Sequence, residues 1–193
     1  MQIIEKIKNN QIFNNPNEIQ KICLDILKSN PLPNSKSEFW RLSNKSKFSD
    51  FLDFPLNENK SKYEIPYPSL NQKIIRLVIG EKNEINIEKE NYSIKSLNND
   101  ELLRFIKKNI SYFDQIEHWS DLLNLSLSSE KNILGLKING TKIPPIEIFS
   151  HSISDSFNAK SLIVFCEKNC NVDFLQINLG TANSSLSLST YFY

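Results

Sequence analysis

Hydrophobic residues near the start of the chain recur at helical spacing. Residues 1–29 are predicted to be helical, with Asn15 as the N-cap, Pro16 in the first turn and Glu18 three residues after the cap. Pro31 and Pro33 are expected to end this helix and to begin an extended link. The face predicted to be buried comprises Ile19, Ile22, Cys23, Ile26 and Leu27.

The middle of the chain alternates irregular and periodic stretches. Residues 35–68 follow no clear period, and their aromatic side chains are expected to pin them to other elements. Two short strands are predicted at Lys73–Ile79 and Glu84–Ile87. Asn98 is the predicted cap of a helix with Glu101 as its capping-box partner, and a second helical pattern runs from Phe113 to about Leu125. The predicted inner face of the capped helix comprises Leu102, Leu103, Phe105 and Ile106.

After Ser128 the hydrophobic period changes from helical to two residues, which is typical of strands. The dipeptide Asn139-Gly140 indicates a hairpin or a tight corner, and Gly180 marks a later turn. The predicted strands are Ile133–Ile138, Pro145–Phe149, Leu162–Cys166, Val172–Leu179 and Ser185–Tyr193.

The last predicted strand alternates cleanly, with Leu186, Leu188, Thr190 and Phe192 on one face. The sequence stops within this strand, whereas natural sheets protect their edges and solenoids carry terminal caps. The expectation at this stage is therefore a fragment of a longer β structure, cut short, that self-associates through residues 184–193.

Composition and charge narrow the class of protein. The 12 Phe among 193 residues indicate a folded chain, although hydrophobic residues make up only 39%. The formal net charge is +1, with acidic and basic residues interspersed, so no nucleic-acid partner is predicted. The N-terminus lacks the apolar run of a signal peptide, and the most apolar stretch, residues 162–166, is too short to span a bilayer. A cytoplasmic, soluble protein with no membrane partner is expected.

Two cysteines, Cys166 and Cys170, are the closest pair of candidate ligands in the sequence. Metal and cluster sites need about four ligands, and no other Cys or His lies near this pair in the chain. We therefore interpret Cys166 and Cys170 as small buried residues on either side of a turn, the second of them starting the next strand. No metal, cluster or other cofactor is predicted.

Other candidate residues also favour structural roles. His118 and His151 are the two histidines, and no motif joins either to a nucleophile. Trp40 and Arg41 could form a partner hot spot, but packing of Trp40 on the helices is the favoured interpretation. Isolated glycines exclude a phosphate-binding loop. The predicted sets of catalytic, cofactor-binding and metal-binding residues are therefore empty, and the chain is predicted not to be an enzyme.

Several segments nevertheless resemble a known family. The order of a helix, Leu32-Pro33 and Glu38-x-Trp40-Arg41 resembles the N-terminal signature of SufD, a component of the SUF iron–sulfur cluster assembly machinery. The helical segment 118–127, the isoleucine-rich strand 133–140 and the run 159–164 also resemble that family in order and character. Leu42-Ser43 after Trp-Arg and the lack of an arginine before Leu162 depart from the family pattern.

The resemblance implies an α+β fold and a scaffold function. A helical region with short strands, residues 1–128, would precede the first rungs of a right-handed parallel β-helix, residues 129–193. Members of the family pair with a SufB subunit and dock a SufC ATPase, so SufB-like and SufC-like partners are implied. The family's residues for cluster formation and ATPase docking lie in segments beyond this sequence, so none is assigned here.

Two other classes of protein stay open at this stage. One is a β-solenoid enzyme without its catalytic rungs, although the predicted strand faces carry Ser, Leu and Phe instead of carboxylates. The other is a free-standing interaction adaptor with a helical head and a small β-sandwich.

Overall fold

The computed structural model describes residues 15–30, 73–80, 84–113, 119–152, 157–180 and 185–192. Predictions for residues 1–14, for the aromatic segment 35–68 with Trp40 and Arg41, and for His118 lie outside these ranges. The described helices are α1 (Glu18–Ser29), α2 (Asn99–Lys108), α3 (Ile110–Phe113) and α4 (Trp119–Leu127). A 3-10 turn, Glu130–Asn132, follows α4. The strands are β1 (Ile75–Val78), β2 (Asn86–Glu88), β3 (Tyr92–Leu97), β4 (Ile133–Gly140), β5 (Ile146–Ser152), β6 (Phe157–Cys166), β7 (Phe174–Gly180) and β8 (Ser185–Phe192).

The N-cap of helix α1 lies two residues later than predicted. The N-cap is Asn17, not Asn15, because Gln20 completes the capping box: its backbone N–H donates to Asn17 Oδ1 at 2.8 Å, and its Oε1 accepts from Asn17 N–H at 3.0 Å. The predicted apolar face is otherwise confirmed, with Ile22 packed at its border. Two buried side chains were not predicted, Gln20 and Leu24.

Helix α2 follows its prediction closely. Asn98 is the N-cap, its Oδ1 accepts from the Glu101 backbone N–H at 2.9 Å, and the Glu101 carboxylate accepts from the Asn98 N–H at 3.0 Å. Leu102 and Ile106 are buried, and Leu103 and Phe105 pack against the same core. The second helical pattern, Phe113 to about Leu125, is confirmed from Trp119 onward as α4, and residues 114–118 lie outside the described ranges. The short helix α3 before it was not predicted.

The Glu101 capping contact gives a prediction about acid stability. The Asn98 backbone N–H and the ammonium of Lys95, 2.9 Å from Glu101 Oε1, lower the pKa of Glu101 below its ordinary 4.5. A carboxylate with a lowered folded pKa stabilises the protein above its unfolded pKa, and this contribution is lost as pH falls through the folded value. In urea titrations below about pH 4.5, Glu101→Gln should show a shallower acid loss than the parent, by less than about 1 kcal/mol for this surface group. Equal acid slopes for both proteins would contradict the cap's electrostatic role.

The described strands form two sheets, and in the second half of the chain successive strands belong to the two sheets in turn. The larger sheet has the order β2-β3-β4-β6-β8, and the smaller has the order β1-β5-β7. Strands β4, β6 and β8 pair in parallel, as do β1, β5 and β7, whereas β2, β3 and β4 pair antiparallel. From β4 onward, each strand therefore lies in the opposite sheet from the one before it. The α+β class is confirmed, and within the described residues neither sheet closes or curls.

Three of the four parallel pairings share one register step, whereas the fourth, β1 with β5, pairs Ile75 with the distant Ile146. Ile133 pairs with Ser161, Ile146 with Phe174, and Phe157 with Ser185, so all three pairings join residues 28 positions apart. A constant step in both sheets means that equivalent residues stack on one another. A polar contact follows the same step, since Ser150 Oγ donates to Asn178 Oδ1 at 2.8 Å.

The larger sheet has a hydrophobic core on each of its two faces. On one face, Leu134, Leu136 and Ile138 of β4 pack with Ile146 and Ile148 of the smaller sheet. On the other face, helices α1, α2 and α4 pack against Ile133, Ala159 and Ile163. Alternate side chains of β4 and β6 thus enter opposite cores, as the period of two predicts. The described residues form a helical layer, a five-stranded sheet and a three-stranded sheet.

The Asn139-Gly140 signal is a corner and not a hairpin. Gly140 ends β4 with a φ of 102°, and the chain passes to β5 in the other sheet. Thr141 N–H donates to Asn91 O at 2.8 Å, which fixes this corner on the segment before β3. The five predicted strands after Ser128 are confirmed, and strands of the N-terminal half, β1 and β3, pair directly with β5 and β4.

Candidate functional site

A buried polar junction joins helix α4 to strand β6. Asn124 is 3% exposed in the middle of α4, and its Nδ2 donates to Lys160 O and, at 3.4 Å, to Ser161 Oγ. Among the described residues, its Oδ1 has no hydrogen-bond partner. A buried amide that bonds a strand backbone fixes both the height and the rotation of the helix on the sheet.

Serine hydroxyls extend this junction toward α1. Ser128 Oγ lies 3.1 Å from Ser161 Oγ and 2.9 Å from Asn124 O, and both serines are fully buried. Gln20 of α1 donates from Nε2 to Ser128 O at 3.2 Å. One polar path therefore connects α1, α4 and strand β6, and we refer to Gln20, Asn124, Ser128 and Ser161 as the polar junction.

Lys160 carries a charge into the interior beside this junction. The residue is 3% exposed, and its Nζ donates to Ile79 O at 2.8 Å. Burying an ammonium is costly unless it is hydrogen-bonded, so this contact ties β6 of the larger sheet to the end of β1 in the smaller sheet.

Glu147 is the second buried charge in the described part of the chain. It is 1% exposed, and its Oε2 lies 2.8 Å from Arg76 Nε, across the parallel pair β1 and β5. The Arg76 guanidinium also lies 4.9 Å from the centre of the Phe149 ring. Each buried charge therefore joins two strands, Glu147 within the smaller sheet and Lys160 between the two sheets.

A cleft of about 970 Å³ opens where the two capping boxes meet the larger sheet. It is lined by polar and charged groups of both signs, including Lys95, Glu101, Glu130 and Lys131. Ser129, whose Oγ is buried without a partner among the described residues, also lines it. The mixed charge indicates no preference for an anion or a cation.

Cys166 and Cys170 lie at the end of β6, on either side of a turn. Both are free thiols and half-buried, and both pack at the border of the core between the sheets. The prediction that they flank a turn is correct, but Cys170 does not start the next strand, since β7 begins at Phe174. The turn closes through Cys170 N–H, which donates to Glu167 O at 3.1 Å.

The other residues considered as candidate ligands or catalytic groups are not brought together in the structure, or they lie outside the described ranges. His151 is half-buried near the end of β5, where it is paired in register with Leu179. Within the described ranges, no group of three or more His, Cys, Asp or Glu residues is placed to hold a metal ion. No helix in the described part of the chain is long and apolar enough to span a membrane.

The polar junction was not predicted from the sequence. The one signal that could have indicated it is Asn124, a polar amide inside a run of leucines.

Comparisons of the chain with protein-family models, with curated proteins and with solved structures find no match.

Proposed function

We propose that the chain is the N-terminal part of a SufD-like scaffold protein of iron–sulfur cluster assembly. The observation that carries this proposal is the order of elements: capped helices and short strands first, and then strands β4 to β8, which alternate between two sheets with a 28-residue step. The resemblance implies the same order, a helical region before the first rungs of a β-helix.

The parallel strands are the rungs in this proposal. Each rung contributes one strand to each sheet, and its side chains stack on equivalent side chains of the next: Leu134 on Leu162, and Ile146 on Phe174. Repeated stacking is how solenoids build a continuous core from units that cannot fold alone. A right-handed path for these rungs is part of the proposal, in line with the hand of parallel crossover connections.

A scaffold role is supported by the buried polar groups, because they hold secondary-structure elements together. Lys160, Glu147 and Asn124 each make a contact that joins two secondary-structure elements. Such groups hold helices and sheets in one arrangement, which a platform for other subunits requires. The proposed partners are SufB-like and SufC-like subunits in the cytoplasm, and the iron–sulfur cluster is the cargo of the assembly.

A chimera tests the proposal without assigning contact residues in advance. Residues 1–193 should replace the corresponding N-terminal segment of an established SufD, with the rest of that protein unchanged. We expect the chimera to co-purify with SufB and SufC and to restore growth of a SufD-deficient strain under iron limitation. The control is the same SufD with that segment deleted.

Two results would overturn the proposal. A chimera that folds, as judged by circular dichroism and monodisperse sedimentation, but captures neither SufB nor SufC would exclude a SufD-like role. Turnover of a polysaccharide by the isolated chain would favour a β-solenoid enzyme instead.

A further inference from the structure

Cys166 and Cys170 are placed as a pair and not as two separate core residues. The turn between them spans Glu167, Lys168 and Asn169, all exposed, and Asn169 has a φ of 66°. Glu167 N–H donates to Ile138 O at 3.0 Å, so the start of the turn is tied to the neighbouring strand β4. Cys170 N–H donates to Glu167 O at 3.1 Å, which closes the turn, and both cysteines pack against the same core between the two sheets.

The pair is more exposed than the third cysteine, Cys23. Cys23 is 0% exposed inside α1, and burial raises the pKa of its thiol to about 12. Burial first, and then the neighbouring Cys166, raise the pKa of Cys170 to about 11. Cys166 is half-buried beside an exposed turn, so an attacking reagent can reach the pair but not Cys23.

We infer that Cys166 and Cys170 form a thiol-modification site that takes up one disulfide bond from a small-molecule disulfide. The inference rests on the closed turn, on the packing of both cysteines against one core and on the exposure of the turn, and it is independent of the proposed function. A thiol pair of this kind rests reduced in a reducing compartment and is oxidised when the small-disulfide pool rises.

The chemistry is a double exchange. The thiolate of Cys166 attacks one sulfur of the small disulfide, forms a mixed disulfide, and releases one small thiolate that takes up a proton. Cys170, on the other side of the turn, then loses its proton and attacks the Cys166 sulfur. The second small thiol leaves. One disulfide is consumed and one is formed, so two protein thiols become one Cys166–Cys170 bond and two small thiols are released.

The disulfide bond between Cys166 and Cys170 would close the turn through which the chain leaves β6 for β7. Glu167 also pairs with Lys137 of β4, at 2.9 Å between Oε1 and Nζ, so the turn is anchored to the neighbouring strand from two atoms. Oxidation is therefore expected to tighten a corner that already exists, without unpairing β6 from β4.

Peptide mapping tests the site directly, because Lys168 lies between the two cysteines. The folded chain is incubated with oxidised glutathione, free thiols are blocked, and the denatured protein is cut with trypsin without reduction. We expect residues 161–168 and 169–193 to appear as one disulfide-linked pair, with two of the three thiols lost. Cys23→Ser is the matched control and should leave this result unchanged.

The single variants separate this site from nonspecific oxidation. Cys166→Ser and Cys170→Ser should each stop at a mixed disulfide with glutathione and give no linked peptides. Links that involve Cys23, or equal blocking of all three thiols by an alkylating agent in the folded chain, would overturn the inference. So would an absence of linked peptides after full consumption of the glutathione disulfide in a protein shown to be folded.

Discussion

Gly140→Ala should destabilise the protein by about 4 kcal/mol, the largest effect expected for the addition of a single methyl group. Gly140 has a φ of 102°, which side-chain-bearing residues rarely adopt. A Cβ there would also collide with backbone atoms, the Asn91 carbonyl oxygen and, at 2.6 Å, Tyr92 Cα. Backbone of a paired strand cannot move aside as a side chain can, so the corner between β4 and β5 would have to deform.

Gly80→Ala is the matched control for this substitution. Its φ of 105° is nearly the same, so both variants carry the conformational strain. The nearest atoms to an added Cβ at Gly80 are the side-chain atoms Asn132 Oδ1, at 3.2 Å, and Lys160 Nζ, at 3.4 Å. We expect a loss of about 2 kcal/mol from strain alone. Urea unfolding followed by circular dichroism measures both, and equal losses would show that the corner does not pack against the segment before β3.

Asn124→Ala should cost about 3 kcal/mol in the free energy of unfolding. The substitution removes two donated hydrogen bonds, leaves Lys160 O without this partner, and opens space between α4 and β6. Because Ser128 and Ser161 lie in the same polar junction, the loss should exceed that of a single surface hydrogen bond.

Asn99→Ala provides the comparison for Asn124→Ala. Asn99 Nδ2 donates to Glu130 Oε2 at 2.8 Å, but both residues are exposed. Loss of this contact should change stability by no more than about 0.5 kcal/mol. If Asn124→Ala lost as little as Asn99→Ala under the same urea titration, the polar junction would not hold α4 on the sheet.

The helices and the last five strands could be predicted because their signals are local. The capping box at Asn98 and the alternation after Ser128 each depend on residues within a few positions. The cap of α1 was misplaced because two asparagines compete, and the contact that decides between them comes from Gln20. Strand β3 was missed because it is short and half of its six residues are polar, and because it is stabilised by pairing with β4, which lies more than thirty residues later.

The topology and the polar junction depend on contacts that a single sequence does not reveal. The 28-residue step leaves little trace, because some paired positions match, such as Leu134 and Leu162, while Ile133 pairs with Ser161. Asn124 stands out in its leucine-rich helix, but its partners lie on β6, and the pairing emerges only when the helix packs on the sheet. Long-range contacts of this kind form the polar junction, whereas local periodicity determines the individual helices and strands.

The rung register is the claim on which both the fold and the proposed function rest, and paired cysteines measure it directly. In a background with Cys23, Cys166 and Cys170 replaced by alanine or serine, Ser150→Cys with Asn178→Cys places thiols 28 positions apart, where side chains now meet at 2.8 Å. Ser150→Cys with Gln176→Cys is the control, since Gln176 pairs with Ile148 instead. A mild oxidant should form the intramolecular disulfide in the first pair and not in the second. Cross-linking of the control pair in preference to the first would mean that the strands do not follow a 28-residue step, and the SufD-like proposal would lose its basis.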